Sequence, residues 1–270
     1  MKNKIAESVQ YLNGQFQNDA EVAIVLGSGL GELAQRVEVI KEISYEKIPN
    51  FPISQVEGHK GTLVYGTLHG RHVIVLNGRT HYYEGFAMSR ITFPIRVLKA
   101  LGVRILILSN AAGGANPSFK IGDIMLIRDH INFMGNNPLL GENDADLGPR
   151  FPSMANAYSS RLLKLAKETA TKEGISFQTG VYLAMQGPYF GSAGECGAYY
   201  RLGADAIGMS TIPETIVARH SGMEVFALSV ITDLAILGEQ ESISHEEVLE
   251  AATGAGPKMS RLIYEMLPQL

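Results

Sequence analysis

Four stretches of this 270-residue chain end an apolar run in residues that could do chemistry. "NGRTHYYEG", residues 77 to 85, sets Arg79, His81 and Tyr83 at alternate positions, so an extended backbone turns all three to one face. An arginine and a histidine on one face can grip an oxyanion, the guanidinium through its planar fork, or simply form a polar surface cluster. "LSNAAGGANP", residues 108 to 117, ends in small residues that leave backbone N–H groups open to close approach by a ligand. "GMSTIPE", residues 208 to 214, offers the hydroxyls of Ser210 and Thr211 before a helix, as caps or as ligands. "SVITDLA", residues 229 to 235, adds the carboxylate of Asp233. Such endings suggest one cleft at the carboxyl edge of a sheet.

A fifth stretch, "VAIVLGSGLGEL", residues 22 to 33, runs four β-prone apolar residues into a glycine turn. A strand, a glycine turn and a following helix present unpaired N–H groups and a positive dipole end, which suit phosphate. The dinucleotide fingerprint places glycines at its first, third and sixth positions. Here Gly27, Gly29 and Gly31 give G-x-G-x-G, and the sixth position is Glu32, whose charge opposes a pyrophosphate. Glu46 stands where that fingerprint wants an acid, so three readings stay open: a dinucleotide, a smaller phosphate, or a plain strand-to-helix turn.

The elements that must hold these residues are legible as alternating patterns. Apolar β-prone runs recur at "VAIVLG", "GTLVYGTL", "HVIVLNG", "RILILSN", "DIMLIRDH", "FQTGVYLAM", "ADAIGMS" and "EVFALSVITD". Several have consecutive apolar residues, the mark of strands buried on both faces. Helical patterns fall between them over residues 2 to 17, 88 to 101, 156 to 173, 193 to 202, 212 to 221 and 244 to 266. This alternation predicts an α/β fold, a central sheet covered by helices, and no linker divides residues 1 to 270, which read as a single domain. The one long irregular region, 132 to 155, has the length of a functional loop.

At 46% hydrophobic residues the chain can bury a large core. A net charge of -4 with scattered Lys and Arg excludes a nucleic-acid groove and a polybasic membrane patch, leaving a small-molecule protein. Cys196 is the only cysteine, read as a buried structural thiol, and the first residues contain no long apolar run, which together suggest the cytoplasm. Neither metal-ligand spacing nor a Ser-His-Asp order is evident, and no metal is expected.

Eight motifs in register, "GSGLG", "GHKGTLVYG", "NGRTHYYEG", "NAAGG", "GDIMLIRDHIN", "RFPSM", "LGADAIGMSTIPETIVARH" and "SHEEVL", give the chain a specific resemblance to the trimeric purine nucleoside phosphorylases of the inosine/guanosine type. The resemblance implies an α/β fold with a central mixed, partly barrel-like β-sheet flanked by helices. It implies a homotrimer that takes a purine nucleoside and orthophosphate, the latter a co-substrate, with no cofactor. Carried over by position, phosphate would meet Ser28, His59, Arg79, His81, the backbone at Ala111, and Ser210. Ribose would meet Tyr83, Met209 and His245, with Phe151 closing the sugar pocket of a neighbouring subunit. The purine would lie among Phe190, Gly191, Ile207, Thr232 and Asp233. His81 and Asp233 are the residues expected to act in catalysis, the latter on purine N7.

Two positions depart from the family pattern. Its usual "G-P-x-[FY]-E-T" reads "GPYFGSAGE" here, so Gly191 stands in place of the base-gripping glutamate; its "S-x-I-T-N" reads "SVITD", so Asp233 replaces asparagine. An ionised carboxylate only accepts hydrogen bonds, so it would repel a 6-oxo group and accept from a 6-amino group, or donate to N7 if burial keeps its proton. The expected base preference is therefore shifted toward, or broadened to, 6-aminopurines. The 5′-methylthioadenosine phosphorylases share the "T-D" and are the alternative reading. Their second aspartate would fall at Ala235, and their sugar pocket lacks a counterpart of His245. Glu195 reads as a structural helix residue or as a partial stand-in for the missing glutamate. Rivals of another class are a dinucleotide-dependent oxidoreductase and a nucleoside-binding protein with little catalysis.

Overall fold

The computed structural model describes residues 1–28, 30–56, 58–235 and 244–270. In chain order the elements are α1 (Lys2–Asn13), β1 (Val22–Leu26), α2 (Glu32–Gln35), β2 (Glu38–Ser44), β3 (Thr62–Leu68), β4 (Arg71–Asn77), α3 (Met88–Ile91), α4 (Phe93–Ala100), β5 (Ile105–Gly114), β6 (Ile124–Asn132), α5 (Ser160–Lys172), β7 (Gln178–Ala184), α6 (Ala193–Arg201), β8 (Ala206–Gly208), α7 (Ile212–His220), β9 (Glu224–Leu234) and α8 (His245–Met266). All eight apolar runs are strands. The strand that sequence patterning missed is β2: it is largely exposed, pairs antiparallel with β3 at the sheet edge, and so carries no run of buried residues.

Helix ends moved for local reasons. α1 stops at Asn13 because Gly14 follows as its C-cap, which frees Phe16 to stack on Tyr65 at 4.4 Å. The expected helix over 88 to 101 is two helices, the second opening with Pro94 in its first turn. α5 begins only after Ser159, whose side chain accepts from the Leu162 N–H.

The strands form one mixed sheet in the order β2-β3-β4-β1-β5-β8-β7-β6-β9, and β9 also pairs in parallel with β5. That second pairing closes β5, β8, β7, β6 and β9 into a barrel, as the mixed, partly barrel-like expectation had it. β5 achieves this by its length: Ile105–Leu108 pair with β1, while Gly113 and Gly114 reach β8. Two apolar layers cover the sheet. Ile5 and Leu12 of α1, Phe93, Ile95, Val97 and Leu98 of α4 and Ile212, Ile216 and Val217 of α7 fill one. Leu162 and Ala166 of α5 and Ala252, Met259, Leu262 and Ile263 of α8 fill the other. β1 sends Ala23 and Val25 to the first layer and Val22, Ile24 and Leu26 to the second, which is why all five are buried. Among the described residues no helix is long and apolar enough to cross a membrane.

Candidate active site

A cavity of about 320 Å³ opens at the carboxyl ends of β1, β4, β5, β7, β8 and β9, the edge indicated by the strand endings. Ser28, Arg79, His81, Tyr83, Ala111, Phe190, Gly191, Ile207, Met209, Ser210, Thr232, Asp233 and His245 all line it. Two expected residues do not. His59 stands behind the wall, its Nε2 3.1 Å from Ser28 Oγ. Phe151 projects from the surface, 89% exposed.

The glycine turn after β1 leads into a short helix. α2 has only four residues, so a long helix dipole is absent, and Glu32 turns aside to pair with Arg36 at 3.0 Å. Gly27 serves close packing: a Cβ there would lie 2.8 Å from the Ser109 carbonyl. Ser28 is left as the polar group of the turn that faces the cavity.

The extended segment from Arg79 to Tyr83 is also corrected. Chain extension ends at His81, and Tyr82–Glu84 form a 3-10 turn, yet the His81 and Tyr83 rings stack at 4.8 Å with an 8° interplanar angle. Nor is the Arg79 fork free for an anion. Its Nη1 donates to Glu214 at 2.9 Å and approaches Thr211 Oγ1 at 3.4 Å; its Nη2 donates to the Ser109 carbonyl and approaches that of Val25 at 3.5 Å. Nε–H has no partner among the described residues. Thr211 joins this cluster to the rest: its Oγ1 accepts from Asn110 Nδ2 at 2.8 Å and lies 3.2 Å from Ser210 Oγ. Its φ of 69° is strained for a β-branched residue, a conformation that persists only where surrounding bonds over-determine it.

Electrostatics distinguish the histidines. Burial, with His81 and Arg79 nearby, lowers His59 to about 3, so it faces Ser28 as a neutral ring. Behind His81, Glu84 Oε1 lies 3.4 Å from Nδ1 and accepts from the His81 N–H at 2.6 Å. Burial alone would raise Glu84, but these contacts, with the Gln55 N–H and the Ser54 hydroxyl, hold it down at about 2. Glu84 therefore contributes stability that is complete above its usual 4.5 and lost as pH falls toward that depressed value. Glu84→Gln is expected to flatten the acid limb of unfolding over that window, and to lower kcat/KM about tenfold by loosening His81. Urea unfolding at stepped pH and steady-state kinetics read the two effects.

At the opposite end β9 carries a bulge. Ala112 pairs with Ile231 and Gly113 with Asp233, so Thr232 is the inserted residue. Adjacent residues of a regular strand face opposite ways, whereas here Thr232 and Asp233 both line the cavity. Gly113 makes room, since a Cβ would lie 2.7 Å from Asp233 Oδ2. Burial raises the Asp233 pKa, opposed by a hydrogen bond from Thr232 Oγ1 at 2.9 Å. His245, the first residue of α8, has its Nε2 buried without a hydrogen-bond partner among the described residues.

The phosphorylase superfamily profile matches residues 21–268. A purine nucleoside phosphorylase of Geobacillus stearothermophilus is 50% identical over 249 residues, 92% of this chain and 91% of its own. One from Bacillus subtilis is 45% identical over 269 residues, 100% and 99% of the two chains. The chain belongs to the purine nucleoside phosphorylase family. A solved family structure, the Schistosoma mansoni purine nucleoside phosphorylase in complex with adenosine, superposes with a TM-score of 0.95 at 40% identity, covering 100% of this chain and 98% of that one. An S. mansoni purine nucleoside phosphorylase was also solved in complex with inosine, at 39% identity and a TM-score of 0.93. Names and coverage among these phosphorylases leave the 5′-methylthioadenosine reading unsupported.

Within this phosphorylase frame, sequence reading missed Asn110, Glu84 and Glu214. Asn110 lines the cavity but reads as one polar residue in an apolar strand, and the two glutamates act from behind it. Cys196 also lines the cavity wall, packed near Gly191, in addition to being buried. Glu195 is structural: Oε2 accepts from the Ser192 N–H at 2.8 Å in the α6 capping box and Oε1 from Tyr189 at 2.9 Å.

Proposed function

We propose that this protein catalyses the reversible phosphorolysis of purine (2′-deoxy)ribonucleosides, in which orthophosphate attacks C1′ and releases the free base and a (deoxy)ribose 1-phosphate. The observation that carries this reading is one cavity lined at one end by Ser28, Arg79, His81 and Ser210 and at the other by Asp233. Phosphate would be held by Ser28, Arg79, His81, Ser210 and the Ala111 backbone, with His59 orienting Ser28 through their 3.1 Å contact. Holding the anion in line converts a bimolecular step into an effectively unimolecular one, and its charge stabilises the oxocarbenium-like sugar. His81, backed by Glu84, keeps the nucleophile aligned. Tyr83, Met209 and His245 would bind ribose, while Phe190, Gly191, Ile207 and Thr232 enclose the base. The reaction needs no cofactor.

Asp233 is the group assigned to N7. Burial favours its protonated form, which can donate to N7, and a carboxylate oxygen can accept from a 6-amino group. This supports a base preference broadened to 6-aminopurines, and the adenosine complex of the S. mansoni relative is in keeping with it. The 89% exposure of Phe151 supports a homotrimer in which that ring covers a neighbour's sugar pocket. A single, buried cysteine fits a cytoplasmic setting.

Phosphorolysis of adenosine, inosine, guanosine and 5′-methylthioadenosine, followed side by side as ribose 1-phosphate release, tests this. Adenosine and inosine are expected to be cleaved, and 5′-methylthioadenosine more slowly by about tenfold or more, since it lacks the 5′-hydroxyl that His245 would meet. Binding without product from any nucleoside would refute the phosphorylase reading. Cleavage confined to inosine and guanosine would refute the broadened base preference.

A further inference from the structure

Arg79 has a possible counter-ion on each of two sides. In front it lines the cavity; behind, it lines a small void of about 20 Å³ together with Glu214, Val25, Tyr45 and Ile95. Glu214 belongs to the first turn of α7 and does not reach the cavity. The two side chains are 5% and 6% exposed, 2.9 Å apart, and among the described residues Glu214 has no other ion-pair partner. Before any anion arrives, then, the guanidinium charge is already matched.

Of the remaining groups at this end, His59 is held neutral and His81 already faces the Glu84 carboxylate at 3.4 Å. We propose that Glu214 is the resident counter-ion of the oxyanion site, positioning Arg79 while the site is empty and competing with substrate phosphate for its charge. This rests on the phosphorylase reading. Two buried opposite charges are costly to separate, so phosphate binds by drawing on a guanidinium that Glu214 already satisfies. The competition weakens anion binding and eases its release. Removing only the negative charge leaves Arg79 buried and unmatched, and phosphate then becomes the counter-ion.

Glu214→Gln tests this, because the amide oxygen can still accept from Arg79. Calorimetric titration with inorganic phosphate is expected to show a Kd about tenfold lower than wild type. The unliganded variant should melt earlier, and phosphate should raise its melting temperature more than it raises that of wild type. Nucleoside KM should stay within about twofold, a split that general loosening of the site does not produce. Should the glutamine variant fail to fold, Glu214→Asp withdraws the carboxylate from Arg79 and is expected to shift phosphate Kd the same way by less. A phosphate Kd unchanged or raised, or equal changes for both substrates, overturns the proposal alone. If wild type binds no phosphate, the phosphorylase reading falls with it.

Discussion

Asp233→Asn is expected to lower kcat/KM for adenosine about 100-fold while that for inosine holds or rises. An asparagine can turn its NH₂ to a 6-oxo group and its oxygen to a protonated N7; against a 6-aminopurine its oxygen accepts from the amino N–H and its NH₂ donates to N7, but once N7 is protonated for departure that NH₂ has no acceptor. The aspartate reverses that pattern. Its environment also sets a pH signature. Because burial raises the Asp233 pKa above 3.8, the proton needed at N7 persists to higher pH and is then lost. Adenosine cleavage should accordingly fall as pH rises through the raised value, and this limb should vanish in the asparagine variant. The stability linkage has the matching sign. A carboxyl raised in the folded state binds its proton more tightly there, so stability falls as pH rises from 3.8 through the folded value. Asp233→Asn removes that penalty. Initial rates on adenosine and inosine across pH decide the matter, and unchanged substrate preference would refute the role assigned to Asp233.

Arg79→Ala is expected to raise the phosphate requirement about 100-fold and to destabilise the fold by about 3–5 kcal/mol. The second effect has its own cause: the 6% exposed Glu214 carboxylate loses its only ion-pair partner among the described residues, and the carbonyls of Ser109 and Val25 lose a donor. In a domain of this size the melting temperature should fall by about 10 °C. The paired variant Arg79→Ala/Glu214→Gln separates the two effects. With no stranded charge it should recover much of the stability, while its phosphate KM stays high. Thermal unfolding and phosphate kinetics on the three proteins provide the check; a double variant as unstable as Arg79→Ala would show that the cost lies elsewhere.

Much of the site was legible because its residues follow directly from strand ends. Apolar runs flanked by glycine and small polar residues mark where a buried strand leaves the core, and at the carboxyl edge of an α/β sheet such positions converge. Ser210 and Asp233 are found in this way, the resemblance adds Ser28 and the Ala111 backbone at two more such ends, and all four line one cavity. Motif register extended the set to His245 and Phe190, which no local pattern singles out. The edge strand β2 was not legible, since with Ile43 as its one buried residue it has no periodicity to display.

The sequence by itself determined the α/β class, the eight buried strands, the family and most of the cavity wall, because periodicity and motif spacing are local and survive without knowledge of packing. Tertiary structure alone decided three things. It chose β5 and β9 as the pair that closes the barrel the family resemblance implied, placed the bulge at Thr232 that turns Asp233 inward, and gave Arg79 a partner 135 positions away. Each depends on how distant segments are brought together by core packing. A charged or small residue in the sequence carries no record of which distant neighbour will satisfy it, and that choice sets the charge of the anion site and the direction of the base-facing carboxylate.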